Sequence, residues 1–263
     1  MTLAYASELT LEQYQLLAAL LPPAHSTGRP RTVDLMRVMQ AILYVLVSGC
    51  AWRLLPKTYP PYSTVYYYFR KWRDDGSWKR IHDQLVVWVR LDHEREPSPS
   101  AASLDSQTVP AAVMVEDQVG YDAGKKIKGR KRFTLVDTLG LLIAVRVVAA
   151  DVAERQGAKQ LLGCLHQERH RVPRLTRIWV DGGFSGEDFW LWVMDTCRWI
   201  IEVVLRPAGA KGFVLLPKRW TVERTYGWLH WCRRLNVDYE RLPASSEAFI
   251  HIAMIRLMLR RLA

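Results

Sequence analysis

Cysteine is scarce in this chain of 263 residues: Cys50, Cys164, Cys197 and Cys232 are the four present, and no two form a Cys-x-x-Cys pair. That spacing offers neither a disulfide framework nor a zinc ribbon, and a reducing cytoplasm is the expected setting. Long apolar runs are missing too. The longest, residues 41–47, falls far short of the roughly 20 residues that cross a bilayer, so no membrane partner is expected. No basic segment followed by an apolar one opens the sequence, so no secretory leader is expected. Acids are in deficit, 26 Asp and Glu against 37 Lys and Arg, which leaves a net charge of +11. An excess of that size suits a polyanionic partner. Hydrophobic residues at 49% and charged residues at 24% are an ordinary globular balance, which excludes disorder as the dominant state.

The period of the apolar residues changes along the chain. Up to about residue 97 it is helical, over residues 9–21, 33–47, from an N-cap at Ser63, and 78–90. Tyr66, Arg70 and Arg73 fall on one side of the third helix, away from Val65, Phe69 and Trp72. A basic loop containing Arg29 and Arg31 precedes the second helix, and a Pro- and Ser-rich linker begins near residue 94. This region, 1–97, is expected to be an all-α, helix-turn-helix-like domain whose third helix reads either as a recognition helix or as a helix packed on the rest of the chain.

Residues 98–263 alternate between strands and helices, an α/β pattern. Strands are expected at 103–109, 131–136, 141–148, 176–180 and 200–205, with a hairpin around Thr138-Leu139-Gly140. Helices are expected to start at Asp151, at a Ser185/Asp188 capping box, over 220–235, and at Ser245 or Ser246. A loop is expected at 207–212.

On that frame three acids stand out. Asp105 lies inside the first strand, where a carboxylate needs a partner. Asp181 ends the strand at 176–180, where open α/β sheets gather ligands. Glu223 lies near the start of the 220–235 helix. If those two strands are neighbours and the helix crosses their ends, the three carboxylates converge. Mutual repulsion then favours a divalent cation, and oxygen-only ligands favour Mg2+ or Mn2+. Each acid also has an ordinary reading, Asp181 as a turn residue and Glu223 as a surface helix residue. Asp137 reads as a hairpin-turn residue and Asp151 as an N-cap. Arg219, Glu223, Tyr226, His230 and Arg234 recur on one helical face, which suits a metal beside a phosphate backbone. Lys125, Lys126, Lys128, Arg130, Lys131 and Arg132 form a run without an acid, read either as a solvated loop or as a phosphate contact.

The run Arg219-Trp220-Thr221-Val222-Glu223-Arg224-Thr225-Tyr226-Gly227-Trp228-Leu229, followed by Arg233-Arg234-Leu235 and Asp238-Tyr239-Glu240, resembles the C-terminal signature of bacterial DDE transposases of the insertion-sequence-five branch. Gly124 to Arg132 running into Leu135-Val136-Asp137-Thr138-Leu139-Gly140, Asp181-Gly182-Gly183-Phe184, and Gly49 to Pro56 with Ser63 to Tyr66 resemble the same group in the same order. The resemblance implies a ribonuclease H-like mixed sheet with flanking helices, with Asp105, Asp181 and Glu223 as catalytic, metal-binding positions for two Mg2+ or Mn2+ ions. It also implies double-stranded DNA with terminal inverted repeats as substrate, cleavage and strand transfer as the reaction, and a homodimer or higher homo-oligomer on DNA. A metal-dependent nuclease without strand transfer and a non-catalytic DNA-binding regulator are the alternatives. Two positions depart from the wider pattern: Leu216 stands for a tyrosine and His230 for a lysine.

Overall fold

The computed structural model describes residues 4–24, 31–205, 216 and 218–263. Arg29 and the loop expected at 207–212 lie outside them. The N-terminal region is helical: α1 (Leu11–Ala18), α2 (Leu35–Ser48), α3 (Tyr62–Asp74) and α4 (Ser77–Asp92). Thr10 caps α1 through a reciprocal box with Gln13, and the Asp34 carboxylate accepts from the amides that open α2. Helix α3 starts one residue before the expected cap at Ser63, behind Pro61, with no side-chain cap.

Six strands follow: β1 (Ala101–Pro110), β2 (Gly120–Asp122), β3 (Ile127–Asp137), β4 (Leu142–Ala149), β5 (Arg177–Val180) and β6 (Ile200–Val203). Strand β3 pairs antiparallel with β1, β2 and β4, while β1, β5 and β6 run parallel. The sheet is therefore mixed, with the hairpin of β3 and β4 at one edge. Gly140, at φ +77°, makes the turn of that hairpin, a conformation in which a Cβ would be strained.

Helix α5 (Glu154–Gln167) and α6 (Glu187–Trp192) cover one face of the sheet, with Phe133, Leu135 and Leu104 packed against Leu161, Leu162 and Phe189. At Gly157 a side chain would sit 2.0 Å from the Phe133 ring, so the glycine is what lets α5 press against β3. Asp151 does not open α5, whose N-cap is Ala153. Nor does a Ser185/Asp188 box open α6, which follows Gly186 at φ 144°.

The other face carries α7 (Trp220–His230) and α8 (Pro243–Leu262). Helix α7 is shorter than the expected 220–235: it stops at His230, and a separate 3-10 turn holds Arg233–Leu235. In α8 the helix begins at Pro243, so Ser245 and Ser246 are buried in its first turn and do not cap it. Helix α8 joins α1–α4 in one apolar core with Val222 and Leu229 of α7 and Val136, Leu142 and Val147 of the hairpin. The N-terminal helices thus share a core with the sheet region. Among the described residues no helix is long and apolar enough to cross a membrane.

Candidate active site

Strand geometry brings the first two acids together. Strands β1 and β5 pair in parallel through Ser103 and Trp179, and Asp105 and Asp181 each lie two residues further on. They therefore lie beside one another on adjacent strands, Asp105 midway along β1 and Asp181 just past the carboxyl end of β5. Period-two alternation puts Ser103 and Asp105 on one face of β1, and Leu104 on the opposite face in the α5–α6 core.

Helix α7 supplies the third acid. The Ser103 hydroxyl lies 3.1 Å from the Thr221 hydroxyl, fixing the first turn of α7 over β1. Glu223 follows two residues later and is exposed. Ser103 and Thr221 are thus positioning residues that the sequence reading missed; their signal was a hydroxyl two residues before each acid, on the elements that meet.

The charges of the three acids reach one another. Burial first, and then the charges of Asp181 and Glu223, push the Asp105 carboxyl up to about 7, against a hydrogen bond from the Ser106 amide and the charge of Arg219. Arg219 stands 3.7 Å from Asp181 and 3.5 Å from Glu223, a cation between the two more exposed acids. Asp181 also accepts the Gly183 amide at 2.8 Å. Beside Asp105, the Tyr226 hydroxyl is buried next to that of Thr134, the residue paired with Asp105 on β3.

Among the described residues no three His, Cys, Asp or Glu side chains are gathered closely enough to hold a metal ion between them. The donor chemistry nevertheless suits a hard divalent cation. All three donors are carboxylates, and Asp105 has no ion-pair partner among the described residues, its hydrogen bond coming from a backbone amide. Arg219 pairs directly with Asp181 and Glu223, while its charge reaches Asp105 only at longer range.

The expected DNA-contacting residues divide by burial. Lys125, Lys126 and Lys128 are exposed around the β2–β3 turn. Arg130, Lys131 and Arg132 are not: they belong to β3 and are buried, which corrects their assignment to a phosphate-binding loop. Arg130 is fully enclosed, donating to the carbonyls of Asp117, Glu240 and Arg241 and pairing with Asp238 at 3.3 Å. Lys131 bonds the Val152 carbonyl and Glu154. Arg132 donates to the Leu235 carbonyl and borders, with Tyr226 and exposed His230, a hollow of about 200 Å3. Arg234 is also corrected. It lies past the end of α7, buried, with Glu240 at 2.7 Å. On α3, Tyr66 and Arg70 are exposed, with Arg70 over the Tyr66 ring. Arg73 does not face outward with them: it is held by Asp74 and by Ser245 of α8. Leu216 sits before α7, its carbonyl accepting the amides of Arg219 and Trp220. A larger cavity, about 790 Å3, lies between α4 and the segment after α5 and touches none of the three acids.

Residues 96–258 match the family described as "Transposase DDE domain". Residues 9–82 match the family described as "Putative transposase of IS4/5 family". A Burkholderia cepacia protein named "Putative transposase for insertion sequence element IS402" is 29% identical over 128 residues, covering 47% of this chain and 60% of that relative's length. No solved structure matches the chain.

Proposed function

Because the chain belongs to the transposase DDE domain family of bacterial insertion elements, we propose that it binds the terminal inverted repeats of such an element, cleaves the DNA ends and joins the 3′ ends to target DNA. Family membership implies a ribonuclease H-like fold, and the mixed sheet with helices on both faces agrees with it. The observation that carries the proposal is the alignment of Asp105 and Asp181 on parallel neighbouring strands, with Glu223 brought over them by α7.

In this reading Asp105, Asp181 and Glu223 would hold Mg2+ or Mn2+, which would supply activation of the attacking water and relief of charge on the leaving 3′ oxygen. Asp105 is the rigid ligand, set in the middle of a strand. Glu223, on an exposed helix turn, is the adjustable one. Arg219, which pairs with the two more exposed acids, would be the cation nearest to a DNA phosphate at that site. His230 at the far end of α7, the three exposed lysines at 125, 126 and 128, and Tyr66 and Arg70 on α3 extend the contact along the duplex. Strand transfer reuses the same carboxylates, since a 3′ hydroxyl takes the place of water. Handling two ends calls for at least a homodimer, acting in the cytoplasm on DNA.

Incubation with flanking DNA and Mg2+ or Mn2+ tests this. Nicks at the repeat boundaries and joined products are expected, and Asp105→Asn, Asp181→Asn and Glu223→Gln should each abolish cleavage while DNA binding persists. Full cleavage by Glu223→Gln would overturn the assignment.

A further inference from the structure

Beside the acids, on the next face of α7, indole and guanidinium groups alternate. Trp220, Arg224 and Trp228 are spaced four apart, and the Arg224 guanidinium lies 4.6 Å from the centre of the Trp220 ring and 4.8 Å from that of Trp228. Arg261 of α8 continues the ladder, 4.7 Å from Trp228. Where α7 ends, Trp231 is 82% exposed and borders a cavity of about 150 Å3 shared with Trp228, Met254, Arg256 and Arg260.

The arginines of this seam lack counter-charges. None of Arg224, Arg256, Arg260 and Arg261 forms an ion pair among the described residues, and the residues outside that set contain no Asp or Glu at all. Arg256 and Arg260 instead donate to the Ala6 carbonyl. Burial, and then the neighbouring arginine, holds both Arg256 and Arg261 below the usual guanidinium range. The carboxylate whose field reaches Arg224 and Arg261 is Asp137, which is already bound to Arg90.

We propose that the α7–α8 seam binds unpaired nucleotides of the DNA, with a base stacked on Trp231 and phosphates on Arg256, Arg260 and Arg261. This rests on the reading of DNA as substrate and names a part of it. The chemistry selects that occupant. A second copy docked by two-fold symmetry would set these arginines against themselves. Duplex DNA offers phosphates but leaves a protruding indole without use, whereas unpaired bases stack on aromatic side chains inside basic grooves. The ladder starts at Trp220, three residues from Glu223, so a strand lying on it runs directly from the acids.

The test is fluorescence anisotropy of the full chain with a labelled oligothymidylate and with a duplex of equal length. Trp231→Ala is expected to weaken oligothymidylate binding by about tenfold, the effect of removing one base stack, and to leave duplex binding within about twofold. Arg260→Gln should weaken the same probe and reduce its salt dependence, and Trp231→Phe should restore most of the affinity. Oligothymidylate binding unchanged in Trp231→Ala and Arg260→Gln, or lost equally with duplex binding, overturns the proposal. So does a shift from dimer to monomer in Trp231→Ala with DNA binding intact, which would give the face to a second copy. A native chain that binds neither probe overturns the reading of DNA as substrate, and this one with it.

Discussion

Arg219 Nη2 lies 3.5 Å from Glu223 Oε1, one turn further along α7. The same atom is 3.7 Å from Asp181, so a single guanidinium neutralises two of the three acids. A divalent cation must displace it. Both pairs are solvent-exposed enough that each is worth only about 0.2–1 kcal/mol. Arg219→Gln is therefore expected to tighten Mn2+ binding to the DNA-free protein by a few-fold, roughly twofold to fivefold for one such pair. Calorimetric titration reads this directly, and an unchanged affinity would show that the guanidinium does not compete with metal.

The acids were legible in the sequence because each sat in a context that demanded a partner: a carboxylate inside a strand, one at a strand's carboxyl end, one on a helix whose apolar stripe faced elsewhere. Whether the first two come together depends on which strands are neighbours, which the element order leaves open and the pairing of β1 with β5 supplies. What the sequence concealed was side-chain fate at the ends of elements. Arg130, Lys131 and Arg132 look like a continuation of the exposed Lys125–Lys128 run, yet β3 begins at Ile127 and carries them into the interior. Their acceptors, such as the carbonyls of Glu240 and Leu235, come from more than a hundred residues away, beyond the reach of any local pattern. The end of α7 at His230 was hidden for a similar reason. No Gly or Pro interrupts the helical period there, and the tertiary demand for Arg234 to meet Glu240 wins over it.

That division of the basic run has a measurable consequence. Replacing Lys125, Lys126 and Lys128 together by alanine should lower the slope of log affinity against log salt by up to about 3, near 0.9 for each phosphate no longer neutralised, with the fold unaffected. Arg130→Ala should behave differently. It strands the buried Asp238 carboxylate and several carbonyls, so the expected result is unfolding or loss of soluble protein. A full salt slope in the triple variant would remove the turn from the DNA interface.

Arg90 of α4 and Asp137 at the end of β3 form a buried ion pair that ties the N-terminal helices to the hairpin. Burial pushes the Asp137 carboxyl up, and Arg90 with the amides of Leu141 and Leu139 counters it. Asp137→Ala would leave a guanidinium enclosed without its counter-charge, at a cost of about 3–5 kcal/mol. Urea denaturation should show that loss, and it should shrink when Arg90→Met is added. Equal stability of the single and double variants would mean that the turn amides, and not the ion pair, account for the effect.

His251 of α8 faces His82 of α4 edge-on, with ring centroids 5.1 Å apart. Burial between the helices, then the charges of His82, Arg171 and Lys79, push its pKa from 6.5 down to about 3, and Asp83 opposes them. In the unfolded chain the imidazole titrates near 6.5, so below that pH the unfolded state takes up a proton that the folded state refuses. Stability is therefore held above about pH 6.5 and lost as pH falls toward 3, with a slope of at most about 1.4 kcal/mol per pH unit for this one proton. Asp83 contributes in a separate window. Burial works against its ionisation, but the His82 hydrogen bond and the charges of His82, Arg171 and Lys79 bring it down to about 2, so its share is lost only below about pH 3.8. Between pH 6.5 and 4 the His251 loss is opposed by Asp105, whose carboxyl, raised to about 7, holds a proton in the folded state that the unfolded state has released. His251→Phe should therefore raise the unfolding free energy near pH 4 relative to pH 7 by comparison with the native chain, read in urea titrations at successive pH values, while an unaltered profile would show that His251 carries none of the pH dependence.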